Sequence, residues 1–275
     1  MIIILIILLY GRFVEPNTLV TNHIEIEIEG LPKNFEGRRI VQISDLHGKK
    51  YGDKLARKIN DIEPDFVVVT GDVIDKYHPD YNYIVRTLKP IKAEMGKFYI
   101  AGNNEHTKAL SMDKIEAVVE TAGFQNLNNT NQRIKIGKEH LWMVGVDDPN
   151  DGYDDLQKAL EKTDSAPKIL LAHSPEIIYK AADEDIEMVL VGHTHGGQVY
   201  IPVLSQSPEI AKLLIPLGRI FKNNMAPGFE KYIAGGLYKG HNTQMYVNRG
   251  LGETRISFRL FAPPEITVIT LKGKT

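Results

Sequence analysis

The chain has 275 residues, of which 43% are hydrophobic and 25% are charged, and this composition predicts one large globular domain with an ample core. Its formal net charge of -2 excludes a global positive field that would gather nucleic acid, so we expect no nucleic-acid partner. The chain contains no cysteine, which excludes disulfides, thiolate nucleophiles and thiolate metal sites and leaves nitrogen and oxygen ligands for any metal.

The first part of the chain is an apolar run in which residues 2 to 9 are all Ile or Leu. A helix of that length covers roughly half of a ~30 Å hydrocarbon core, because each residue adds ~1.5 Å. Two interpretations are open, a membrane-anchoring segment and a buried Ile-rich strand. Tyr10 and Arg12 would form a suitable interfacial flank and favour the membrane. We therefore expect an anchoring stub and connector at residues 1–22 and one domain at residues 23–275.

Short apolar runs alternate with helical stretches along most of the chain. The predicted strands are 23–29, 39–43, 66–69, 98–101, 141–146, 169–172, 188–191, 244–247 and 266–271. The predicted helices are 54–62, 81–91, 112–121, 155–162 and 175–182, the last with Ser174 as a candidate N-cap. This alternation predicts an α/β fold, and from about residue 199 short strands and loops replace it.

Polar side chains of metal-ligand type follow five of the predicted strands. They are Asp45 with His47, Asp72, Asn103, His173, and His193 with His195. Ligands of open α/β sheets bind just beyond the carboxyl ends of the strands, so these side chains are candidates for one site. A single Asp or His at a strand end more often caps a turn than binds anything. Five such positions in order favour a metal site instead.

The same residues resemble the motifs of the calcineurin-like metallophosphoesterase family. The series is Asp45-Leu46-His47, Gly71-Asp72, Gly102-Asn103-Asn104-Glu105, His173 and Gly192-His193-Thr194-His195. Residues 171–175, 192–198, 247–252 and 264–266 are similar to a subgroup that is often membrane-anchored at its N-terminus and includes bacterial phosphodiesterases and enzymes acting on UDP-2,3-diacylglucosamine. The resemblance implies a four-layer α/β/β/α sandwich with a dimetal site at the carboxyl-terminal edge of its strands.

The resemblance also implies how the ligands are divided between two metal ions. The first ion takes Asp45, His47 and His195, the second takes Asn103, His173 and His193, and Asp72 bridges the two. Imidazole, carboxylate and amide donors suit Mn, Fe or Zn. Two adjacent divalent ions stabilise both the entering and the leaving oxygen of a displacement at phosphorus. We expect a hydroxide that bridges them to be the nucleophile, because metal-bound water ionises near neutral pH.

The sequence departs from the family motif at Asn104, where the family has a histidine that faces the substrate phosphate. Asn104 cannot donate a proton as an acid, and three outcomes are open. Asn104 acts as an electrostatic donor to a phosphate oxygen, His106 serves as the acid instead, or hydrolysis of phosphoesters is weak. General acid catalysis typically raises the reaction rate by ~10²- to 10⁴-fold. A substrate with a good leaving group would need this help least. We expect Glu105 to anchor the loop rather than bind metal.

Candidate substrate contacts are fewer. Residues 209 to 224 interleave apolar and basic side chains, which is typical of a surface that meets an anionic membrane or an acyl chain, and equally of a core helix or flap broken at Pro216. His241 and Arg249 are candidates for substrate binding, with hydrogen bonding within their loops as the alternative.

These patterns lead to the hypothesis of a metal-dependent phosphohydrolase that cleaves a phosphodiester or pyrophosphate bond in a phosphorylated small molecule or a lipid. We expect it to associate with a membrane surface through its N-terminus, with a cytoplasmic location as the alternative. Two rival hypotheses are a soluble phosphoesterase of broad specificity and a non-catalytic interaction module that keeps the fold. No pattern in the sequence indicates an oligomeric state.

Overall fold

In the computed structural model, which describes residues 2–200, 234–240, 243–254 and 256–274, two six-stranded sheets form the frame of the protein. The strands are β1 (Val20–Ile28), β2 (Arg39–Ile43), β3 (Phe66–Thr70), β4 (Gly96–Ile100), β5 (Gln125–Asn126), β6 (Thr130–Ile136), β7 (Glu139–Gly145), β8 (Lys168–Leu171), β9 (Met188–Val191), β10 (Gly236–Lys239), β11 (Gln244–Val247) and β12 (Glu265–Gly273). Their order is β1-β12-β2-β3-β4-β5 in the first sheet and β10-β11-β9-β8-β7-β6 in the second.

Parallel pairing dominates the middle of both sheets. In the first sheet β2, β3, β4 and β5 are parallel, and β12 runs antiparallel to β2. In the second sheet β7, β8, β9 and β11 are parallel, and β6 and β10 run antiparallel to their neighbours. The parallel strands of each sheet therefore end at a common edge. In α/β sheets, the loops at this edge bind ligands.

The described residues form six α-helices. They are α1 (Ile2–Leu9), α2 (Lys54–Asn60), α3 (Tyr81–Leu88), α4 (Met112–Thr121), α5 (Leu156–Ala159) and α6 (Ile178–Ala181). Five of them, α2 to α6, cover the outer faces of the two sheets. The helices α2, α3 and α4 bury apolar side chains against the first sheet, and α5 and α6 do so against the second. The carboxylate of Asp80 caps α3 by accepting a 2.8 Å hydrogen bond from the backbone N–H of Tyr83.

The apolar core between the sheets follows from the alternation of side chains along each strand. On β3, Val67 faces the helices, whereas Phe66 and Val68 face the second sheet and pack with Leu171 and Leu190. A strand with both faces covered must be apolar throughout, which is why β3 is a continuous apolar run. The order of layers is thus helix, sheet, sheet, helix, and the predicted four-layer sandwich is confirmed.

The structure corrects several predicted elements. The helix predicted at 155–162 is only the short α5, and the one predicted at 175–182 is a 3₁₀ turn (Pro175–Ile177) followed by α6. The side chain of Ser174 does not cap this turn, because its hydroxyl donates to the carboxylate of Glu176. Strand β6 was missed, because an edge strand that exposes alternate side chains has a weak apolar signal.

The N-terminal helix α1 is exposed along its whole length, with Ile2 75% and Leu9 48% accessible. The alternative prediction of a buried Ile-rich strand is therefore wrong. Among the described residues, no helix has both the length and the apolar character needed to cross a bilayer. The apolar and basic segment at 209–224 and the candidate His241 lie outside the described residues.

The segment that follows α1 is joined to the body of the protein near its C-terminal end. The backbone N–H of Arg259 donates to the carbonyl of Gly11 at 2.9 Å. The buried carboxylate of Glu15 accepts a 2.6 Å hydrogen bond from the backbone N–H of Ala262. These contacts anchor the segment that follows α1 to the loop between β11 and β12.

Candidate metal centre

All seven predicted ligands lie on loops that leave the carboxyl ends of parallel strands. Asp45 and His47 follow β2, Asp72 follows β3, Asn103 follows β4, His173 follows β8, and His193 and His195 follow β9. Several have left-handed backbone angles, with φ of 51° at Asp45, 46° at His47, 54° at Asp72, 67° at His193 and 54° at His195. Such angles cost a non-glycine residue of order 1 kcal/mol or more and concentrate at functional sites. The loops therefore accept strain that positions these side chains.

Two glycines of the motifs allow the loops to approach each other. A Cβ at Gly102 would collide with the side chains of Asp72 and His173, and one at Gly192 would collide with Ser44 and Asp45. A larger residue at either position would push the ligand side chains apart.

One group of candidate ligands consists of Asp45, His47 and His195. The Nε2 atoms of His47 and His195 lie 3.0 Å apart, and Nε2 of His195 lies 3.2 Å from Oδ1 of Asp45. All three ligand atoms lie within 4.8 Å of one another, close enough to share a cation. The structure thus brings together the three residues predicted for the first metal.

A second group consists of Asn103, His173 and His193. Oδ1 of Asn103 lies 3.2 Å from Nε2 of His173 and 3.1 Å from Nδ1 of His193, and the two ring nitrogens lie 3.1 Å apart. Asp72 lies between the groups, because its Oδ2 is 3.5 Å from Nε2 of His47 and also 3.5 Å from Nε2 of His173. This is the position that a bridging carboxylate would need.

Backbone carbonyls fix the tautomers of two of the imidazoles. Nδ1 of His173 lies 2.8 Å from the carbonyl oxygen of Thr70, and Nδ1 of His195 lies 3.0 Å from that of Gly252. A carbonyl can only accept, so in each ring Nδ1 carries the proton and the Nε2 lone pair points into the site. This is the arrangement in which metal-binding histidines are held.

The donor set fits a pair of divalent cations. Imidazole nitrogens, carboxylate oxygens and an amide oxygen converge in a buried region, and Oδ1 of Asp45 is buried without a hydrogen-bond partner among the described residues. Lone pairs packed this closely repel one another unless a cation or protons lie between them. The residues therefore suit Mn, Fe or Zn, which accept nitrogen and oxygen ligands.

The electrostatics of the site favour the metal-binding forms of His47, His193 and Asp72. Burial lowers the pKa of His47 to about 4 and that of His193 to about 3, so both rings are neutral at pH 7. Burial alone would raise the pKa of Asp72, but the charge and hydrogen bond of His173, the charge of His47 and the hydrogen bond from the backbone of Asn104 together hold that pKa well below its usual range. Neutral imidazoles and ionised carboxylates are the protonation states that metal binding requires.

Glu105 anchors the loop that carries Asn103, as the sequence predicted. Its carboxylate accepts hydrogen bonds of 2.8 Å from the backbone N–H groups of Asp72, Val73 and Gly102. Burial, followed by the charge of Asp72, raises the pKa of Glu105 to about 8. The side chain thus ties the loop after β3 to the loop after β4 and leaves the ligand role to others.

The two predicted catalytic residues are held differently. Asn104 is 5% exposed, and its Nδ2 lies 2.7 Å from Nδ1 of His47. His106 makes a 2.6 Å contact from Nε2 to Oδ1 of Asp147, and its ring stacks on Tyr153 with centroids 3.8 Å apart. Asn104 thus lies against a candidate ligand, while His106 is engaged by a carboxylate. Their catalytic roles stay predictions.

Two polar residues of this region were missed by the sequence analysis. Asp148, in the loop after β7, is fully buried, and burial raises its pKa to about 6. A search for polar residues at strand ends would have found Asp148, because it follows the predicted strand 141–146.

Arg259, the second missed residue, gave no such signal in the sequence. Its buried guanidinium donates to the carbonyls of Arg249 (3.0 Å), Ala262 (2.7 Å), Gly250 (3.2 Å) and Gly252 (2.5 Å).

The predicted substrate contact Arg249 is engaged in an ion pair. Its Nε lies 2.7 Å from Oε2 of Glu265, and its Nη2 contacts the same oxygen. One quarter of the Arg249 side chain is exposed. The residue therefore has a clear structural partner, and its predicted contact with substrate stays a prediction.

The family model and the relatives with similar sequences agree on one family. Residues 38–197 match the family model described as calcineurin-like phosphoesterase. The chain is 32% identical to the uncharacterized metallophosphoesterase YkuE of Bacillus subtilis, over 96% of this chain and 89% of that protein. It is 29% identical to a transmembrane protein with metallophosphoesterase domain of Danio rerio, over 90% of this chain and 56% of that longer protein. A solved structure, TT1561 of Thermus thermophilus, superposes with a TM-score of 0.45 at 16% identity, covering 56% of this chain and 81% of that one.

Proposed function

The chain belongs to the calcineurin-like phosphoesterase family, and we propose on this basis that it uses two divalent cations to hydrolyse a phosphodiester or pyrophosphate bond. The class, a hydrolase of phosphoric ester bonds, follows from the family. The kind of bond, the metals and the location of the substrate are inferred from the residues of the site.

The observation that carries the proposal is the position of Asp72. Its Oδ2 is equally distant, at 3.5 Å, from an imidazole of each ligand group. We assign the first cation to Asp45, His47 and His195, the second to Asn103, His173 and His193, and the bridge to Asp72. When bound, such a pair supplies a nucleophile from ionised water and stabilises the charge that develops on the phosphoryl oxygens. The donors favour Mn, Fe or Zn.

The protein's own residues prepare the site before substrate arrives. The carbonyls of Thr70 and Gly252 hold two imidazoles with their Nε2 lone pairs directed inward. The backbone N–H of His193 donates to Oδ2 of Asp45 at 3.0 Å and leaves Oδ1 of that carboxylate for a cation. Ligands fixed by such contacts need little reorganisation when charge develops at phosphorus.

The nature of the leaving group follows from Asn104, which has no acidic proton to give. In a diester or pyrophosphate, a leaving group that is stable as an anion departs most readily without help from an acid.

His106 is the alternative proton donor. Burial lowers its pKa, but the hydrogen bond to Asp147 together with the charges of Asp147, Asp148 and Glu105 raises that pKa above the usual value. Arg249 stays a proposed contact for a phosphate oxygen.

Lipid surfaces are the proposed location of the substrate. The exposed α1, together with Phe13 (60% accessible) and Phe261 (57%), presents apolar side chains next to the loop that contains Gly252. An eight-residue helix is about 12 Å long, so it would reach into one leaflet. We assign residues 1–22 to a membrane-anchoring stub and its connector, which leads into β1 at Val20, and residues 23–275 to the catalytic domain. A cytoplasmic enzyme that acts on soluble phosphoesters is the alternative.

A side-by-side hydrolysis assay tests the proposal. The protein is loaded separately with Mn, Fe and Zn and supplied with a nucleotide-linked lipid pyrophosphate in vesicles, an aryl phosphodiester and an aryl phosphomonoester. We expect the pyrophosphate or the diester to be turned over faster than the monoester, and Asp72→Asn to abolish this turnover. A clear preference for the monoester, or equal activity in the Asp72→Asn variant, would contradict the proposal.

A further inference from the structure

Asn104 lies behind His47, on the side of the ring opposite the other ligands. Its Nδ2 is 2.7 Å from Nδ1 of His47, and its side chain is almost completely buried. Its backbone N–H donates to Oδ1 of Asp72 at 2.9 Å. One residue therefore touches a proposed ligand of the first cation with its side chain and the proposed bridging carboxylate with its backbone.

The other ring nitrogen of His47 faces the ligand group. Nε2 lies 3.0 Å from Nε2 of His195 and 3.5 Å from Oδ2 of Asp72. An imidazole that binds a cation through Nε2 carries its proton on Nδ1, so this proton must be donated to an acceptor. For His173 and His195 the acceptor is a backbone carbonyl. At His47 the group in this place is the side-chain amide of Asn104.

We propose that Asn104 is a positioning residue for His47, whose amide oxygen accepts the Nδ1 proton and fixes the ring with Nε2 toward the first cation. A half-turn of the amide about its terminal bond exchanges Nδ2 for Oδ1 at the same 2.7 Å contact. The inference rests on the proposed function, because it assumes that His47 binds metal. It assigns to Asn104 a role different from contact with the substrate phosphate.

The chemistry of the amide explains why an asparagine suits this position. The amide can accept a proton without adding a charge, whereas a carboxylate would add a third negative group next to Asp45 and Asp72. An apolar residue would leave the Nδ1 proton buried without an acceptor, which disfavours the tautomer that binds metal through Nε2. Groups that orient metal-bound histidines in this way typically contribute 10- to 100-fold in metal affinity.

Titration calorimetry of the metal-free protein with Zn tests the inference. We expect Asn104→Leu, which keeps the size and removes the acceptor, to weaken binding at one of the two sites by roughly 10- to 100-fold. Asn104→Asp should bind Zn at least as tightly as the wild type, because a carboxylate accepts the same proton. Asn22→Leu is the matched control. This substitution removes a 2.7 Å hydrogen bond to the hydroxyl of Tyr246, and Asn22 does not touch the proposed ligands.

A direct readout of the contact is the Nδ1 proton of His47 in the Zn-loaded, ¹⁵N-histidine-labelled protein. This resonance should be protected from exchange in the wild type and in Asn104→Asp and should be lost in Asn104→Leu. Unchanged Zn affinity in a folded Asn104→Leu, with a raised KM for an anionic diester in Asn104→Asp, would overturn the positioning role and support contact with substrate. A wild type that binds none of Zn, Mn and Fe would instead overturn the proposed function itself.

Discussion

Oδ2 of Asp72 lies 3.5 Å from Nε2 of His173, and this buried contact joins the two sheets of the protein. Asp72 follows β3 of the first sheet, and His173 follows β8 of the second. Burial lowers the pKa of His173, but the charge and hydrogen bond of Asp72, together with the charges of Asp45 and Asp148, raise that pKa well above its usual value. The candidate metal centre therefore depends on how the two sheets pack against each other.

The first prediction concerns the two ligand groups. Asp72→Ala and His193→Ala should each lower metal-dependent turnover of an aryl phosphodiester by at least about 10²-fold, because charge stabilisation by cations is worth several kcal/mol. Turnover is measured in purified variants whose fold is checked by circular dichroism. Full activity in either folded variant would exclude the ligand assignment.

Removal of metal should destabilise the folded protein. A cation that binds only the folded chain stabilises it by about 2.7 kcal/mol at a hundredfold excess over its Kd, which corresponds to roughly 5–10 °C in Tm for a domain of this size. Calorimetric melting in chelator and in Mn or Zn measures the difference. The His193→Ala variant should show a much smaller shift, and an equal Tm with and without metal in the wild type would argue against a bound cation.

Arg259 should be important for stability and for the position of His195. Its guanidinium shares the carbonyl of Gly252 with Nδ1 of His195, and it lies fully buried. Arg259→Met leaves several buried carbonyls without donors and should lower the free energy of unfolding by about 3–5 kcal/mol. Urea denaturation measures the loss. Arg86→Met is the comparison, since that arginine is mostly exposed, and a loss for Arg259→Met no larger than for Arg86→Met would contradict the prediction.

The exposed helix α1 should direct the protein to lipid. Introducing Asp at Ile4 and Leu8 places two charges one turn apart and should reduce sedimentation with anionic vesicles by at least about tenfold, because charge is strongly disfavoured in the hydrocarbon region. The matched control carries Asp at Ala117 and Thr121, which are exposed one turn apart on α4. Equal sedimentation of both variants would show that α1 does not mediate lipid binding.

A pH effect is expected away from the metal centre, at Asp164. Its carboxylate accepts hydrogen bonds from Nε1 of Trp142 at 2.9 Å and from His140, and these contacts hold its pKa well below the usual range. A carboxylate whose pKa is depressed in the folded protein stabilises the folded state at pH values above its unfolded-state pKa of about 4. This stabilisation is lost as the pH falls through the pKa of the folded state. Asp164→Asn should therefore melt at a lower temperature than the wild type at pH 7, and the difference should shrink below about pH 4. A difference in Tm that does not change with pH would contradict this reasoning.

Much of the fold and the ligand set could be predicted from local patterns. Strands β2 and β9 match the predicted residues, because each is a short apolar run bounded by polar loops. The candidate ligands were found by the same reasoning, since a polar group after a buried strand is visible in the sequence. The predicted length of α5 was wrong, because amphipathic spacing does not show where packing against the sheet ends.

The sequence by itself determined which donor atoms the protein has and that they follow strand ends, since both depend on residues close together in the chain. Only the tertiary structure decided which groups face each other. The pairing of His195 with Gly252 and of His47 with Asn104 joins residues 57 positions apart in each case. Tautomers, burial and pKa values follow from such distant contacts, which arise when two sheets pack together and which no local pattern records.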